Sequence, residues 1–359
     1  MTGKRSLGRG LALVAAVAIA ASACSGIGGG GASDTLSVIA LPHDWCNYGE
    51  ILDGFKKKTG LKLNEINPNG GSGDEVEAIK ANKTNKGPAA PDVIDVGIAF
   101  GPTAKADGLL ENYKVPTWDS IPAAAKDADG AWYGDYYGVL SFEVNTKIVK
   151  TVPKDWADLL KPDYKKSVAL AGDPTASNQA IQSVYAAALA NGGSLDNAQP
   201  GLDYFKKLND AGNFVPVIAK SASVASGETP IVITWSYLAL ADRDSLKGNP
   251  PIEVVIPANG RFGGMYAQAI SKYAPHPDAA KKWEDYLYSD EGQLGWLKGY
   301  CYTTRYDDMV KRNAIPADLK AKLPDVTGAV FPSSSQLDTA KALITGKWKS
   351  VVGVDVIKK

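Results

Sequence analysis

Residues 36–66, LSVIALPHDWCNYGEILDGFKKKTGLKLNEI, run from an apolar stretch through a polar loop into an amphipathic stretch and a second apolar one. The run LSVIAL predicts a buried strand, and PHDWCN is the loop after it. Apolar residues then recur at helical spacing, which predicts a helix from Tyr48 to Thr59 that Gly60 ends. A second strand is expected over 61–66. Strand, helix and strand in this order form the repeating unit of a parallel sheet with helices on its faces.

The same unit recurs along the chain. A polar loop leads into a helix near Asp74, and a second set of units begins after residue 140. The further elements expected are a strand at 92–97 (DVIDVG), a strand at 167–172 (SVALAG), an Ala-rich helix at 178–191, and strands at 231–235 (IVITW), 252–257 (IEVVIP) and 263–271 (GGMYAQAIS). Two such sets predict an α/β fold of two doubly wound lobes joined by a hinge, with a cleft between them.

The chain is expected to cross between the lobes near residues 139–145 and 258–266, which are therefore the hinge candidates. The expected organisation is a signal peptide over 1–23, a tether over 24–33, lobe I over 34–140 plus about 262–300, lobe II over 141–261, and a C-terminal helical segment over 301–359 that packs on the lobes.

The N-terminus has the pattern of an export signal. Three basic residues precede an apolar run over 11–21 that is too short to cross a bilayer. The small residues before Cys24 resemble the lipobox of bacterial lipoproteins, although Ala21 stands where Leu is usual. The resemblance implies that Cys24 is lipidated and becomes the mature N-terminus; plain cleavage before Cys24 is the alternative. The Gly/Ser-rich stretch that follows predicts a flexible tether, so we expect a secreted protein that is lipid-anchored to the cell membrane.

Charge and cysteine content narrow the function classes. Removal of residues 1–23 leaves 36 Lys and Arg against 39 Asp and Glu, and no basic stripe suggests a nucleic acid partner. Cys46 and Cys301 are the cysteines that remain besides Cys24. In an oxidising compartment a disulfide between them is favoured, with two separate buried thiols as the alternative. Two isolated cysteines without a histidine pattern do not predict a metal site.

The sequence carries no recognisable catalytic motif. It lacks G-x-S-x-G, H-E-x-x-H and G-x-x-x-x-G-K-[ST], which argues against a nucleophile elbow, a zinc protease and a phosphate loop. We therefore expect a binding protein without catalytic residues or a cofactor. A secreted hydrolase is the alternative from another class.

Polar loops follow the buried strands, at the sheet edge where open α/β folds bind ligands. Gly, Pro, Asn and Asp are also ordinary turn residues, and Ser72, Thr175 and Ser177 are equally suited to cap helices. The candidate ligand residues from these loops and from nearby aromatic and basic positions are Asp44, Trp45, Asn47, Ser72, Gly73, Asp74, Phe142, Thr175, Ser177, Asn178, Trp235, Tyr266 and Arg305.

Six stretches in order resemble the type II periplasmic solute-binding proteins of ABC transporters. They are LPHDWCNYGEILDGFKKKTGLKLN, PDVIDVG, YGVLSFEVNT, DWADLLKPDYKKSVALAGDPTAS, IVITWSYLAL and APHPDAAKKWEDYLYSDEGQLGWLKG. The likeness is to the branch that serves iron(III), polyamines, phosphonates and hexose phosphates. The tyrosine pair of its iron-binding members is absent, because that region reads Trp235, Ser236, Tyr237. The resemblance implies a monomer that closes on a small solute and delivers it to ABC permease subunits.

The sequence is compatible with two classes of solute, an organic anion and a polyamine. Loops 70–75 and 173–178 each place hydroxyls and backbone N–H groups at a helix start, which favours a phosphate- or phosphonate-bearing anion. Arg305 or Arg261 could add charge-assisted bonds. A polyamine is the alternative, since carboxylates and aromatic rings form a cage for ammonium groups. The residues for that cage are Asp44, Asp74, Glu143, Trp45 and Trp235.

Overall fold

The computed structural model describes residues 34–68 and 70–358 of the 359-residue chain. The predicted signal peptide, the predicted tether and Cys24 lie outside the described residues. Within those described, each helix is too short or too polar to serve as a membrane span.

The described residues form β-strands and α-helices in alternation along most of the chain. The strands are β1 Thr35–Ile39, β2 Lys62–Ile66, β3 Val93–Gly97, β4 Leu110–Glu111, β5 Tyr133–Asn145, β6 Val168–Leu170, β7 Phe214–Ile218, β8 Ile231–Trp235, β9 Ile252–Val255, β10 Gly263–Ser271 and β11 Tyr302–Thr303. The helices are α1 Tyr48–Thr59, α2 Ser72–Ala81, α3 Phe100–Ala106, α4 Asn178–Ala190, α5 Gln199–Asp210, α6 Ser221–Ser226, α7 Ser236–Leu246, α8 Pro277–Leu287, α9 Asp290–Lys298, α10 Tyr306–Lys311, α11 Ala317–Lys322 and α12 Ser334–Val352.

The first strand–helix–strand unit forms as predicted. Helix α1 spans the predicted residues, and Gly60 ends it in the left-handed region at φ 72°, where its N–H donates to the Lys56 carbonyl at 2.8 Å. Glycine reaches this conformation without the steric cost that a side chain would add. Strands β1 and β2 then pair in parallel, which confirms the expected unit.

The strands follow the order β2-β1-β3-β10-β5-β8-β6-β7, with β4 paired to β10 and both β9 and β11 paired to β5. Parallel pairs at each end, β1 with β2 and β3, and β6 with β7 and β8, flank the antiparallel strands β5 and β10. The expected parallel arrangement of alternating strands and helices is confirmed in both halves.

Strand β5 belongs to both halves of the molecule. Its residues up to Val139 pair with β10, and its residues from Leu140 pair with β8. The chain passes back between β9, which pairs with the second half of β5, and β10, which pairs with the first. Both passages lie in or beside the segments expected to cross between lobes.

Helices cover both faces of the sheet around β3, in the first half of the molecule. Val93 of β3 belongs to the core under α1, α8 and α9, where Trp283 is fully buried. The next residue, Ile94, packs on the other face with Val76 and Ile79 of α2. Because successive strand residues point to opposite faces, a run with both neighbours buried means that helices cover both sides. This is the doubly wound arrangement.

Helix α12 completes the core of the second half. It packs on α5 and α4, and its Trp348 is fully buried with its ring 5.5 Å from that of Phe205. Ser333 caps the helix, since its hydroxyl accepts from the Gln336 N–H while its own N–H donates to the Gln336 side chain.

Candidate functional site

The end of β3 meets the start of α4 where the two halves of the fold face each other. A Cβ placed on Gly97 would stand 3.0 Å from Asn178 Nδ2, so a residue without a side chain allows this approach. The Gly97 N–H donates to Ser72 Oγ at 3.0 Å, which brings the start of α2 to the same point. Tyr266 pairs with Gly97 in the register of β10 and β3. Residues from both halves of the fold therefore converge here.

Aromatic rings enclose this point. Trp45 from the loop after β1 meets Tyr237 edge-on at 5.6 Å and Tyr266 edge-on at 5.7 Å. Tyr266 in turn stacks on Tyr136 at 5.2 Å with an interplanar angle of 6°. Trp235 stacks on Tyr237 at 6.2 Å. The Trp45–Tyr237 contact joins the first half of the fold to the second.

Four groups at this point form what we term the donor cluster: Asn178 Nδ2, Trp235 Nε1, Ser236 Oγ and Tyr237 OH. Each is a buried atom; Ser236 Oγ and Tyr237 OH have no hydrogen-bond partner among the described residues, and the donors of Asn178 and Trp235 face only the Tyr266 hydroxyl. Trp235 and Ser236 are 0% exposed, and Tyr237 is 1% exposed. Amide, indole and hydroxyl groups can all donate hydrogen bonds. Buried polar groups are nearly always paired in folded proteins, so the cluster has the character of a binding site.

Tyr266 adds its hydroxyl to the same place. Burial raises the pKa of Tyr266 and the charge of Asp95 raises it further, whereas Asn178 and Trp235, whose donors face the hydroxyl, act to lower it. The phenol is therefore a neutral donor across the physiological range.

A hydrogen-bonded chain beneath the rings fixes Trp45. Its Nε1–H donates to Tyr136 OH at 2.7 Å, and Tyr136 OH donates to Asp95 Oδ2 at 3.0 Å. Tyr48 OH donates to the same Asp95 oxygen at 2.6 Å. Burial raises the pKa of both Asp95 and Asp135, which favours a proton on this buried pair. A proton on the pair reduces the negative charge of the layer below the rings.

The loop that carries Trp45 is also held covalently. Cys46 and Cys301, the pair predicted from the sequence, form a disulfide with Cα atoms 5.8 Å apart. The bond ties the segment before α1 to the residue before β11.

The structure brings together five of the residues predicted from the sequence. They are Trp45, Ser72, Asn178, Trp235 and Tyr266.

Two predicted residues lie elsewhere. Phe142 is 0% exposed, and its ring packs edge-on against Trp156 at 5.2 Å in the core of the second half. Arg305 is 3% exposed, and its guanidinium is bound by Ser120 Oγ, the Tyr288 carbonyl and the carboxylates of Asp290 and Asp308. Phe142 is thus a packing residue and Arg305 a structural ion-pair residue, which corrects both expectations.

The other predicted residues have local partners or lie in the open. Asn47 donates to the Gly295 carbonyl at 3.2 Å, and Asp74 accepts from the Gly71 N–H at 3.0 Å. The Thr175 hydroxyl donates a hydrogen bond to the Asp173 carboxylate at 2.8 Å, and the Ser177 hydroxyl caps α4. Asp44 and Gly73 are exposed, and a Cβ placed on Gly73 would meet nothing within 4 Å. For Thr175 and Ser177 these contacts match the turn and cap alternative.

Residues that the sequence did not single out complete the site. Ser236 and Tyr237 directly follow Trp235 at the end of β8, and this position after a buried strand could have identified them from the sequence. Tyr136 reaches the site only through the register of β5 against β10. Gln182 lies one turn along α4 and donates to Asn178 Oδ1 at 3.1 Å. Among the described residues no group of His, Cys, Asp and Glu is arranged to hold a metal ion.

Comparisons with known proteins bear on the family and the fold of this chain. Residues 89–326 match the family described as bacterial extracellular solute-binding proteins. A Salmonella typhimurium relative, provisionally named for binding 2-aminoethylphosphonate in the periplasm, is 28% identical over 264 residues, covering 70% of this chain and 72% of its own. An uncharacterised Haemophilus influenzae protein is 32% identical over 263 residues, covering 68% and 70%. The periplasmic binding protein AfuA of Actinobacillus pleuropneumoniae, solved with fructose-6-phosphate, is similar in fold, with a TM-score of 0.69 at 24% identity over 90% of this chain and 100% of its own.

Proposed function

This chain belongs to the bacterial extracellular solute-binding proteins, and from that premise we propose that it captures a small organic solute bearing a phosphonate or phosphate group and delivers it to the permease of an ABC importer. The observation that carries the proposal is the donor cluster. Asn178, Trp235, Ser236 and Tyr237 present buried hydrogen-bond donors; those of Asn178 and Trp235 face only the Tyr266 hydroxyl, and Ser236 and Tyr237 have no partner among the described residues.

Neutral donors suit an anion better than a cation. A phosphonate or phosphate offers three acceptor oxygens, and hydrogen bonds to a charged partner contribute about 1.5–3 kcal/mol each. The start of α4 adds backbone N–H groups and the positive end of a helix dipole beside Asn178. The raised pKa values of Asp95 and Asp135 below the rings favour a proton on this pair, which would reduce its repulsion of the anion.

The aromatic residues suit the organic part of the solute. Trp45, Tyr237 and Tyr266 border the donor cluster with apolar ring faces. Such faces pack on sugar rings and alkyl chains, and they also attract ammonium groups. Both 2-aminoethylphosphonate, which the Salmonella relative is named for, and fructose-6-phosphate, bound to the similar structure, combine such a part with an acidic phosphorus group.

Binding would proceed by closure about β5 and the segment before β10. The contact of Trp45 with Tyr237 and the approach of Asn178 to Gly97 both join the two halves, so a solute held there contacts both. A ligand that binds the closed form better shifts the population toward it, and permease subunits would recognise that form. Predicted lipidation at Cys24 and the tether after it would hold the protein, as a monomer, on the extracytoplasmic face of the cell membrane that contains the importer.

A polyamine is the second candidate, favoured by one specific observation. Burial raises the pKa of Asp242 on α7, Ser221 opposes this, and the charge of Asp44 raises it further. These carboxylates come from different halves of the fold, so a bound cation would relieve the unfavourable interaction between them.

A binding panel tests the proposal. The ligands are 2-aminoethylphosphonate, fructose-6-phosphate and spermidine, with ethanolamine as the matched control that keeps the amine and lacks the phosphonate. A ligand at a hundred times its Kd adds about 2.7 kcal/mol of stability, so thermal shift finds it and calorimetry measures its affinity. We expect heat from at least one phosphorus compound and none from ethanolamine. Heat from spermidine alone would reject the anion assignment.

Small-angle scattering tests closure separately. The radius of gyration should fall when a bound solute reaches saturation, because the open population is removed. An unchanged radius at saturation would argue against hinge closure.

A further inference from the structure

A cavity of about 520 Å³ lies against the strands that connect the two halves, apart from the donor cluster. Tyr137 of β5 and Met265 of β10, which are register partners, line it. Their neighbours Tyr136 and Tyr266 point to the other side of this pair of strands, since successive side chains alternate. The volume falls within the range of roughly 300–1,000 Å³ typical of small-molecule pockets.

Residues 331–333 of a C-terminal segment form one wall of the cavity. Val330 bridges to Phe262, with the Gly263 N–H donating to the Val330 carbonyl at 2.9 Å. The ring of Phe331 lies on Gly263, in space that a side chain there would occupy. Tyr137 meets the same Phe331 ring edge-on at 5.4 Å. The cavity is thus bounded by two crossing strands and by a segment docked on one of them.

The chemistry of the lining differs from that of the donor cluster. Asp307 is its single charged residue, and no Lys, Arg or His of the described chain lines it. Its rings come from Tyr137, Tyr306 and Phe331. One buried polar atom at its wall, Thr304 Oγ1, has no hydrogen-bond partner among the described residues. A carboxylate, ring faces and an oxygen acceptor together favour a cation that can donate hydrogen bonds.

We propose that this cavity is a second ligand site, which takes a protonated organic monoamine with an apolar body, separate from the solute bound at the donor cluster. Gly264 forms part of the partition between the two, because the Trp235 ring and Gln182 Oε1 both occupy the space that a side chain at Gly264 would need. The ammonium group would lie toward Asp307, and the apolar body would pack between Met265 and Phe331.

Calorimetry with 2-phenylethylamine as the probe tests the second site. Its neutral analogue 2-phenylethanol and its acidic analogue phenylacetate have bodies of similar size. We expect the amine to bind with one-to-one stoichiometry and at least about tenfold more tightly than either analogue. Equal affinity for all three, or no binding of the amine, would overturn the proposal.

Three variants locate the amine. Ala124 is an exposed lining residue, whereas the preceding Ala123 is exposed and does not line the cavity. Ala124→Trp should abolish amine binding, while Ala123→Trp should leave it unchanged. Thr304→Val keeps the side-chain shape and removes a hydroxyl without a partner, so it should weaken amine binding without lowering the melting temperature. Equal amine affinity in wild type, Ala124→Trp and Thr304→Val would overturn the assignment.

Competition separates this proposal from the proposed function. The amine should bind undiminished when the donor cluster is saturated with whichever phosphorus compound the panel identifies. Displacement of the amine by that compound would place the amine at the donor cluster and reject a second site. Should no phosphorus compound bind, the proposed function fails, and the Ala124→Trp and Ala123→Trp pair still decides the second site.

Discussion

Gly97 at the end of β3 and Asn178 at the start of α4 approach so closely that a Cβ on the glycine would stand 3.0 Å from Asn178 Nδ2. This contact joins the two halves of the fold beside the donor cluster. Its closeness depends on the absence of a side chain at residue 97. A substitution of Gly97 therefore tests whether closure can be hindered while the stability of the fold is kept.

Gly97→Val should hinder closure. The added methyl groups would push Asn178 away, and solute affinity should fall by at least about tenfold, because the closed state would cost at least about 1.4 kcal/mol more. The melting temperature without solute should change little. Gly346→Ala in α12 is the control, because a Cβ there meets nothing within 4 Å. Wild-type affinity in Gly97→Val would contradict the role assigned to this contact.

The Cys46–Cys301 disulfide should stabilise the fold strongly. It closes a loop with a sequence separation of 255 residues, and the chain-entropy treatment gives about 5.5 kcal/mol for a loop of this length. A Cys46→Ala, Cys301→Ala variant should therefore unfold at a much lower denaturant concentration. In protein that also carries Cys24→Ala, thiol titration in denaturant without reductant should find no free thiol; two per molecule would exclude the bond.

Cys24 should anchor the protein to the membrane. Cys24→Ala removes the predicted lipid attachment point, so the protein should move from the membrane fraction to the soluble fraction on cell fractionation. Ser25→Ala changes the next residue and should remain in the membrane fraction. A Cys24→Ala variant distributed as the wild type would contradict lipidation.

The local sequence pattern predicts the helices and strands, but it does not predict which side chains form the candidate site. Helix α1 follows from its apolar spacing and Gly60. Phe142 and Trp235 both belong to strands in which almost every residue is buried, so burial along the strand does not tell which side chain faces a cleft. The pairing of the strands distinguishes the two residues: Phe142 lies within the β5–β8 ladder, whereas Trp235 lies at its end. The partners of Arg305 include Asp290, brought by the packing of α9, which spacing along the chain cannot predict.

The stability of the fold should decrease as the pH rises through the pKa of Glu143. This residue is 3% exposed, and burial followed by the charge of Asp242 raises its pKa from 4.5 to about 8. Because the folded state holds the proton more tightly, the stabilisation is complete below pH 4.5 and is lost as the pH rises through about 8.

Glu143→Gln should remove this dependence. Relative to wild type, the free energy of unfolding of the variant should rise by up to about 4 kcal/mol between pH 5 and pH 9, as measured by urea denaturation. Glu253→Gln, on the neighbouring β9 and exposed, should show no such trend. A pH-independent difference between Glu143→Gln and wild type would contradict the buried, protonated carboxyl.

The most direct test of the anion site is calorimetry on Asn178→Asp, since it replaces one donor of the cluster by a carboxylate of nearly the same shape. Asn191→Asp, exposed at the other end of α4, changes the net charge equally and serves as the control. We expect Asn178→Asp to weaken binding of the phosphorus-bearing solute by at least about a hundredfold, because a lost donor becomes a repelling charge, and Asn191→Asp to bind as the wild type does. Tighter binding of spermidine to Asn178→Asp, with no phosphorus compound bound by the wild type, would contradict the account.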